Sequence, residues 1–262
     1  MSKVRDRLRS FVEGSYDLNY GRDIVVSWAR DHIEGNAGRR IRILDVGAGR
    51  GEDLVNIKDA AGGRDVDLYG IECDPANAES GRGRGIVVYV VDIERESIPA
   101  PDGSFDIVVA NQIIEHTKEI FWIFSEVSRV LRGGGLFVVG FPNLAAWHNR
   151  ALLLLGLQPT CIEVLGPHIR GITRGGFREF ATCDGYFECL AVRGSNFYPF
   201  PPPLSRVLAR MFPSLSVCLF FLLRRTAREG RFIDVLDTRY YETPFFRGGR
   251  AERLDDSAVE RA

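Results

Sequence analysis

At 262 residues, with 45% hydrophobic and 26% charged side chains and a net charge of −1, the chain is sized for one globular α/β domain with additions. The near-neutral balance, without a basic stripe interleaved with aromatics, gives no electrostatic basis for nucleic-acid binding. Five cysteines (Cys73, Cys161, Cys183, Cys189, Cys218) form no C-x-x-C pair and leave an odd count, so neither a zinc site nor a disulfide framework is expected.

The early charges Arg5, Asp6, Arg7 and Arg9 leave no apolar core for a signal peptide. The longest apolar runs, Ala151–Leu155 and Val217–Leu223, fall far short of the ~20 residues of a spanning helix. A soluble cytoplasmic protein is expected.

Residues 1–40 read as an N-terminal helical cap in two pieces, with Tyr16 and Tyr20 between them and Asp23–Ile33 the better amphipathic segment. Ile41–Val46 is a short apolar run suited to a buried parallel strand, and Glu52–Ala60 follows as a helix. Val66–Ile71, Ile86–Val91 and Phe105–Ala110 are the next three strands, and Lys118–Leu131 is a one-sided helix ended by Gly133–Gly135. Leu136–Phe141 is the fifth strand. Strands alternating with helices predict a mostly parallel sheet, with right-handed crossovers and helices on both faces. Beyond it the spacing predicts helices over 143–157 and 174–182, a strand over 187–192, a helix opened by Pro201–Pro203 and a last strand over 215–223, making about seven strands in all. The domain is therefore read as 41–225, with an acceptor lid at 143–185 and a tail at 226–262 whose end is charged.

The first four strands each end in a polar residue: Asp45, Glu72, Asp92 and Asn111. In an open α/β sheet ligands bind outside those carboxyl ends. Gly47, Gly49 and Gly51 follow the first strand, permitting a tight turn and close backbone approach at a helix N-terminus. A dinucleotide fingerprint needs G-x-G-x-x-G, and its third glycine position holds Glu52. That disfavours a nicotinamide-dependent oxidoreductase. Glu72 lies 21 residues beyond Gly51, a spacing suited to ribose hydroxyls, and Asp92 lies 20 further on.

Ile-Leu-Asp-Val-Gly-Ala-Gly-Arg-Gly, Gly-Ile-Glu-Cys-Asp-Pro, Val-Val-Asp-Ile, Phe-Asp-Ile-Val-Val-Ala-Asn and Leu-Arg-Gly-Gly-Gly-Leu resemble, in order, the motifs of class I S-adenosylmethionine-dependent methyltransferases over residues 40–142. The resemblance implies a Rossmann-like fold of that class, S-adenosyl-L-methionine as cofactor and S-adenosyl-L-homocysteine as product. It places Asp45, Gly47, Ala48 and Gly49 at the methionine part, and Glu72 with Cys73 at the ribose. Asp92 and Ile93 fall at the adenine, and Asn111 at the methyl end. Phe141-Pro142-Asn143, Trp147, Asn149-Arg150, the leucine run to Gly156, His168 and Thr173 resemble more narrowly the methyltransferase-like family associated with methionine biosynthesis, which works beside a homoserine acyltransferase.

Methyl transfer to a hydroxyl benefits from a general base, most often histidine. His116, in Asn-Gln-Ile-Ile-Glu-His after the fourth strand, is the best placed; His148 and His168 lie in the lid, and His32 reads as structural. Arg150, Arg170 and Arg174 are candidate clamps for an anionic acceptor, with a solvated arginine face the plainer reading. Trp147 and Leu152–Leu155 are expected to pack the lid on the sheet, with an apolar acceptor pocket as the other option. Asn111-Gln112-Ile113 is no Asn-Pro-Pro-Tyr motif, no cysteine lies where a cytosine-C5 methylase keeps its nucleophile after the fourth strand, and no aspartate cluster for a metal-dependent catechol site appears there. The expected activity is methylation, with oxygen preferred, of a small-molecule, sugar or lipid-linked acceptor. The alternative is an accessory protein of the methionine-biosynthesis type that binds the nucleotide and a partner enzyme. A homodimer is one assembly left open, with Tyr240, Tyr241, Phe245 and Phe246 candidates to pack on the lid or a second subunit.

Overall fold

The computed structural model describes residues 21–162, 164–238 and 244–248. The first helical piece with Tyr16 and Tyr20, the pair Tyr240 and Tyr241, and the charged end lie outside them. The second piece is α1 (Arg22–Gly35), which buries Ile24, Val25, Trp28, Ala29 and Ile33 along one stripe.

β1 (Ile41–Val46) leads through the glycine turn to α2 (Glu52–Ala60), then β2 (Val66–Ile71), α3 (Pro75–Gly83) and β3 (Val87–Tyr89). β4 (Phe105–Asn111), α4 (Ile120–Val130) and β5 (Leu131–Pro142) complete the alternation. The later part holds α5 (Trp147–Leu154), α6 (Arg174–Ala181), β6 (Phe187–Ser195), α7 (Pro202–Met211) and β7 (Cys218–Arg225). The seven strands lie in the order β3-β2-β1-β4-β5-β7-β6. β1 to β5 pair in parallel, and β7 runs antiparallel to both of its neighbours. This is the expected mostly parallel sheet.

Alternation along the strands divides the core. Ile41, Ile43, Ile107, Val109, Val138 and Phe220 face α1 and α2, while Leu44, Val46, Val108, Phe137, Phe141 and Phe221 face the opposite layer. On that opposite face α4 is the centrepiece, and Phe124 touches Phe137, Phe177, Phe180, Phe187 and Phe232 edge-on or tilted. α1 thus belongs to the same core as the sheet.

Several boundaries differ from expectation, three of them for reasons the structure shows. β3 stops at Tyr89, so Asp92 falls in the loop beyond it. α5 spans only Trp147–Leu154, because Asn143 is tied into the sheet edge and Gly156 turns the chain at φ +67°. Residues 213–215 form a 3-10 turn, which delays β7 to Cys218.

The tail is anchored along its described part. Phe232–Thr238 is a 3-10 segment with Phe232, Ile233, Val235 and Leu236 buried. Phe245 packs edge-on to Phe121, and Phe246 to Trp122, so both aromatics dock on α4. The backbone N–H of Phe246 donates to Glu119 Oε2 at 2.9 Å.

Candidate functional site

The strand order reverses between β1 and β4, and a cleft of about 370 Å³ opens where their carboxyl ends diverge. Its walls come from the glycine turn (Asp45, Gly47–Arg50), the first turn of α2 (Glu52, Asp53), the end of β4 (Asn111, Gln112), Arg22 and Asn77. Ile71 O accepts from both Gly47 N and Ala48 N at 2.9 Å, which folds the turn back over β2. Gly47 (φ +76°) must be glycine, since a Cβ there would sit 2.8 Å from both Cγ1 and Cδ1 of Ile113.

Asp45 is buried at the floor. Burial pushes its carboxyl well above the usual carboxylate range, and the charges of Asp53 and Glu72 push it further up, against a smaller pull from Arg22. Arg22 pairs with Glu52 (2.7 Å) and Asp53 (3.0 Å), and Asp53 Oδ2 accepts from Asn111 Nδ2 at 2.9 Å. A Glu52–Arg22–Asp53–Asn111 lattice therefore frames one wall. Two buried polar atoms of the lining, Asn111 Oδ1 and Gln112 Nε2, have no hydrogen-bond partner among the described residues. Gln112 holds φ +57°, an uncommon conformation for a side-chain-bearing residue. Unsatisfied buried groups and local strain on one cleft wall are what a ligand would relieve.

Of the residues expected at the donor, Asp45, Gly47, Ala48, Gly49 and Asn111 line this cleft. Glu72 stands at its rim, with Oε2 accepting from Gly49 N and Oε1 from Asp74 N, both at 2.8 Å. Cys73 is exposed, its sulfur 3.7 Å from Glu72 Oε1. Asp92 is exposed and caps a turn, accepting from Glu94 N at 3.0 Å, while its own N–H donates to Glu96 Oε1 at 2.7 Å; Ile93 beside it is buried. Neither Asp92 nor Ile93 lines the cleft. Arg22, Asp53 and Gln112 were missed by sequence reasoning.

The described part of the segment expected as an acceptor lid is knitted by two buried asparagines. Asn143 Nδ2 donates to Ser214 O (3.1 Å) and Ser216 O (2.9 Å), and Asn149 holds Thr160 and the Asn143 carbonyl. The lid leucines overturn the core-packing expectation: Leu153, Leu154, Leu155 and Trp147 are exposed. The run Leu152–Leu155 spans a full helical turn, so it cannot bury every member on one face. The arginine-clamp expectation also shifts. Arg170 donates to Lys118 O at 2.8 Å and Arg150 to Ala145 O at 2.8 Å, so both guanidinium groups brace backbone, whereas Arg174 is exposed.

The three lid-side histidines separate into two environments. His116 and His168 meet edge to face, with ring centroids 4.6 Å apart. Beside them lies Glu115, buried within the apolar turn after β4, its Oε1 3.8 Å from His116 Nε2. Burial raises the Glu115 carboxyl to about 7, and burial followed by the His168 charge lowers His116 below the usual histidine range. His148 makes separate contacts, with Thr160 Oγ1 at 3.1 Å and the Tyr198 ring at 5.6 Å, and burial lowers it to about 4. Glu115 is a further omission of sequence reasoning; a glutamate directly after Ile113-Ile114 was its available signal.

The fold and the glycine turn define the class I S-adenosylmethionine-dependent methyltransferase architecture. A solved S-adenosylmethionine-dependent methyltransferase from Archaeoglobus fulgidus superposes with a TM-score of 0.53 at 17% identity, covering 78% of this chain and 95% of that one. Within that architecture the chain belongs to the family of methionine biosynthesis protein MetW, whose model matches residues 33–166. A probable S-adenosylmethionine-dependent methyltransferase of Mycolicibacterium smegmatis is 37% identical over 107 residues, which cover 41% of this chain and 39% of the relative. The 27-O-demethylrifamycin SV methyltransferase of Amycolatopsis mediterranei is 30% identical over 105 residues, 38% of each chain. The matches thus span about two-fifths of the length of these curated relatives. Among the described residues no helix is long and apolar enough to cross a membrane.

Proposed function

We propose that the protein is a cytoplasmic methyltransferase that uses S-adenosyl-L-methionine to methylate an oxygen of a small-molecule, sugar or lipid-linked acceptor. The observation that carries this reading is the cleft between β1 and β4, where Asp45, Glu52 and Asp53 gather beside the unsatisfied atoms of Asn111 and Gln112. A sulfonium nucleotide bears positive charge at its sulfur and its amino group, which the Glu52 and Asp53 carboxylates attract and which would favour the ionised form of Asp45. A dinucleotide would bring an anionic pyrophosphate to the same carboxylates, at a cost.

Asp45, Gly47, Ala48 and Gly49 would hold the methionine part, Asn111 the methyl end, and Glu72 with Cys73 the ribose, while the adenine would reach past the cleft to the loop of Asp92 and Ile93. Bound there, the cofactor supplies an electrophilic methyl group on sulfur. The chain's contribution is alignment and removal of the acceptor proton. Gln112 leads directly to Glu115 and His116, so the His116–His168 pair stands on the acceptor side. Its lowered pKa leaves His116 neutral near pH 7 and able to accept a proton. His148, held by Thr160, is a positioning residue of the lid. Release of S-adenosyl-L-homocysteine over a panel of phenolic, aliphatic and sugar hydroxyls tests the reading. Turnover on one class that His116→Ala reduces about 10²–10⁴-fold is expected, and the absence of turnover on every class would refute it.

The second reading, an accessory protein that binds the nucleotide and a partner enzyme of methionine biosynthesis, is favoured by family membership together with the exposed lid leucines. Donor binding without turnover, together with a co-purifying enzyme, would select it.

A further inference from the structure

The turn after β4 and the segment 164–170 converge on three side chains whose donor atoms all lie within 4.8 Å of one another: Glu115, His116 and His168. We infer that this cluster is a binding site for a divalent first-row transition-metal ion, with zinc as its reference occupant.

Four observations support the site. Glu115 is 1% exposed, and neither of its carboxylate oxygens has a hydrogen-bond partner among the described residues. A buried carboxylate without partners is costly, and an ion is one of the few groups that compensates it. His168 Nδ1 lies 3.3 Å from the Cys161 carbonyl, which can only accept; Nδ1 therefore carries the proton and Nε2 keeps its lone pair for a metal. His116 presents Nε2 to the same carboxylate, 3.8 Å from Glu115 Oε1. Finally, the two segments are already locked together. Glu115 O accepts from Ile169 N (3.0 Å) and Arg170 N (3.2 Å), while the Arg170 guanidinium holds the carbonyls of Thr117 and Lys118. The backbone thus presents the ligands from a fixed frame.

Two imidazoles and a carboxylate are a donor set for zinc and its neighbours, not for calcium or magnesium, which prefer oxygen. Ligands at ~2.1 Å on a tetrahedral ion stand about 3.4 Å apart, so side-chain rotation must contract the cluster by roughly an ångström. Three protein ligands leave a position open on the ion. With the ion bound, His116 serves as a ligand in place of the base proposed above; that an acceptor oxygen takes the open position presupposes the methyl-transfer reading, whereas metal binding does not.

The test is calorimetric titration of the chelator-stripped full chain with Zn²⁺, and optical titration with Co²⁺, on the wild type, Glu115→Gln and His168→Ala. S-adenosyl-L-homocysteine binding is measured on each. One ion per chain is expected, with affinity about 10–100-fold weaker or lost in both variants and S-adenosyl-L-homocysteine affinity changed less than threefold. His168→Ala replaces a half-buried lid residue, so it keeps the test open if Glu115→Gln fails to fold. Failure of the wild type to bind either ion, or binding that His168→Ala leaves intact, would overturn the site. Loss of S-adenosyl-L-homocysteine binding in the wild type would instead overturn the donor reading and leave the metal result standing.

Discussion

Gly47→Ala is the substitution whose cost the structure fixes most narrowly. Residue 47 sits at φ +76°, where a side chain costs roughly 1–2 kcal/mol. The new Cβ would also lie 2.8 Å from Cγ1 and Cδ1 of Ile113 and 3.2 Å from its Cβ. Carbon contacts settle near 3.5–4.0 Å, and most of the Ile113 side chain is involved, so it cannot evade by rotating one terminal methyl. Overpacking of this kind costs about 1–3 kcal/mol, giving a total of about 2–5 kcal/mol shared between stability and donor affinity. Gly63 provides the control. Its φ is +82°, yet a Cβ there meets nothing within 4 Å, so Gly63→Ala should show the backbone cost alone, about 1–2 kcal/mol. Urea unfolding and calorimetric S-adenosyl-L-homocysteine titration would be run on Gly47→Ala, Gly63→Ala, Ile113→Ala and the Gly47→Ala/Ile113→Ala double variant. If the overlap is real, removing the Ile113 side chain brings the Gly47→Ala cost down to that of Gly63→Ala, a coupling of at least about 1 kcal/mol. Equal Gly47→Ala costs in both backgrounds would refute the close approach of the glycine turn to the β4 exit.

Other perturbations reach the frame around the cleft. Glu126 is fully buried on α4, and Arg129 grips it through two hydrogen bonds of 2.9 and 2.7 Å. Arg129→Met should therefore cost about 3–5 kcal/mol by leaving the buried carboxylate with only Ile98 N at 2.8 Å and Arg231 at 4.0 Å, read as a lowered urea midpoint. Asn143→Ala orphans the carbonyls of Ser214 and Ser216; a loss of about 1–3 kcal/mol and faster proteolysis near residues 143–162 are expected. His148 titrates near 4 when folded and near 6.5 when unfolded, so the unfolded chain binds the extra proton between those values. Stability should then fall as pH drops from about 6.5 to 4, by on the order of 2 kcal/mol allowing for its residual exposure, and His148→Gln should remove that slope.

The sheet was legible because each buried strand is an apolar run closed by a polar residue, and the glycine turn follows the first of them at a fixed spacing. What escaped was tertiary in origin. Arg22 sits in the N-terminal helix, and nothing local announces that it meets Glu52 and Asp53 about 30 residues away. Asp92 reads as a strand end because the apolar run Ile86–Val91 leads up to it, but β3 stops at Tyr89. The histidines were identified one by one, yet which of them pair depended on how the lid folds back. Glu115 went unnoticed because a glutamate beside isoleucines is unremarkable until its burial is known. The tail showed no period because its anchors, Phe232, Phe245 and Phe246, act singly against α4 and not as a helical stripe.

The most direct test of the donor site is calorimetric titration of the purified protein with S-adenosyl-L-homocysteine and, separately, with NADH, repeated on Glu72→Ala. Saturable S-adenosyl-L-homocysteine binding, weakened at least tenfold by the substitution and accompanied by no NADH binding, is the predicted result. Binding of NADH alone would contradict the account.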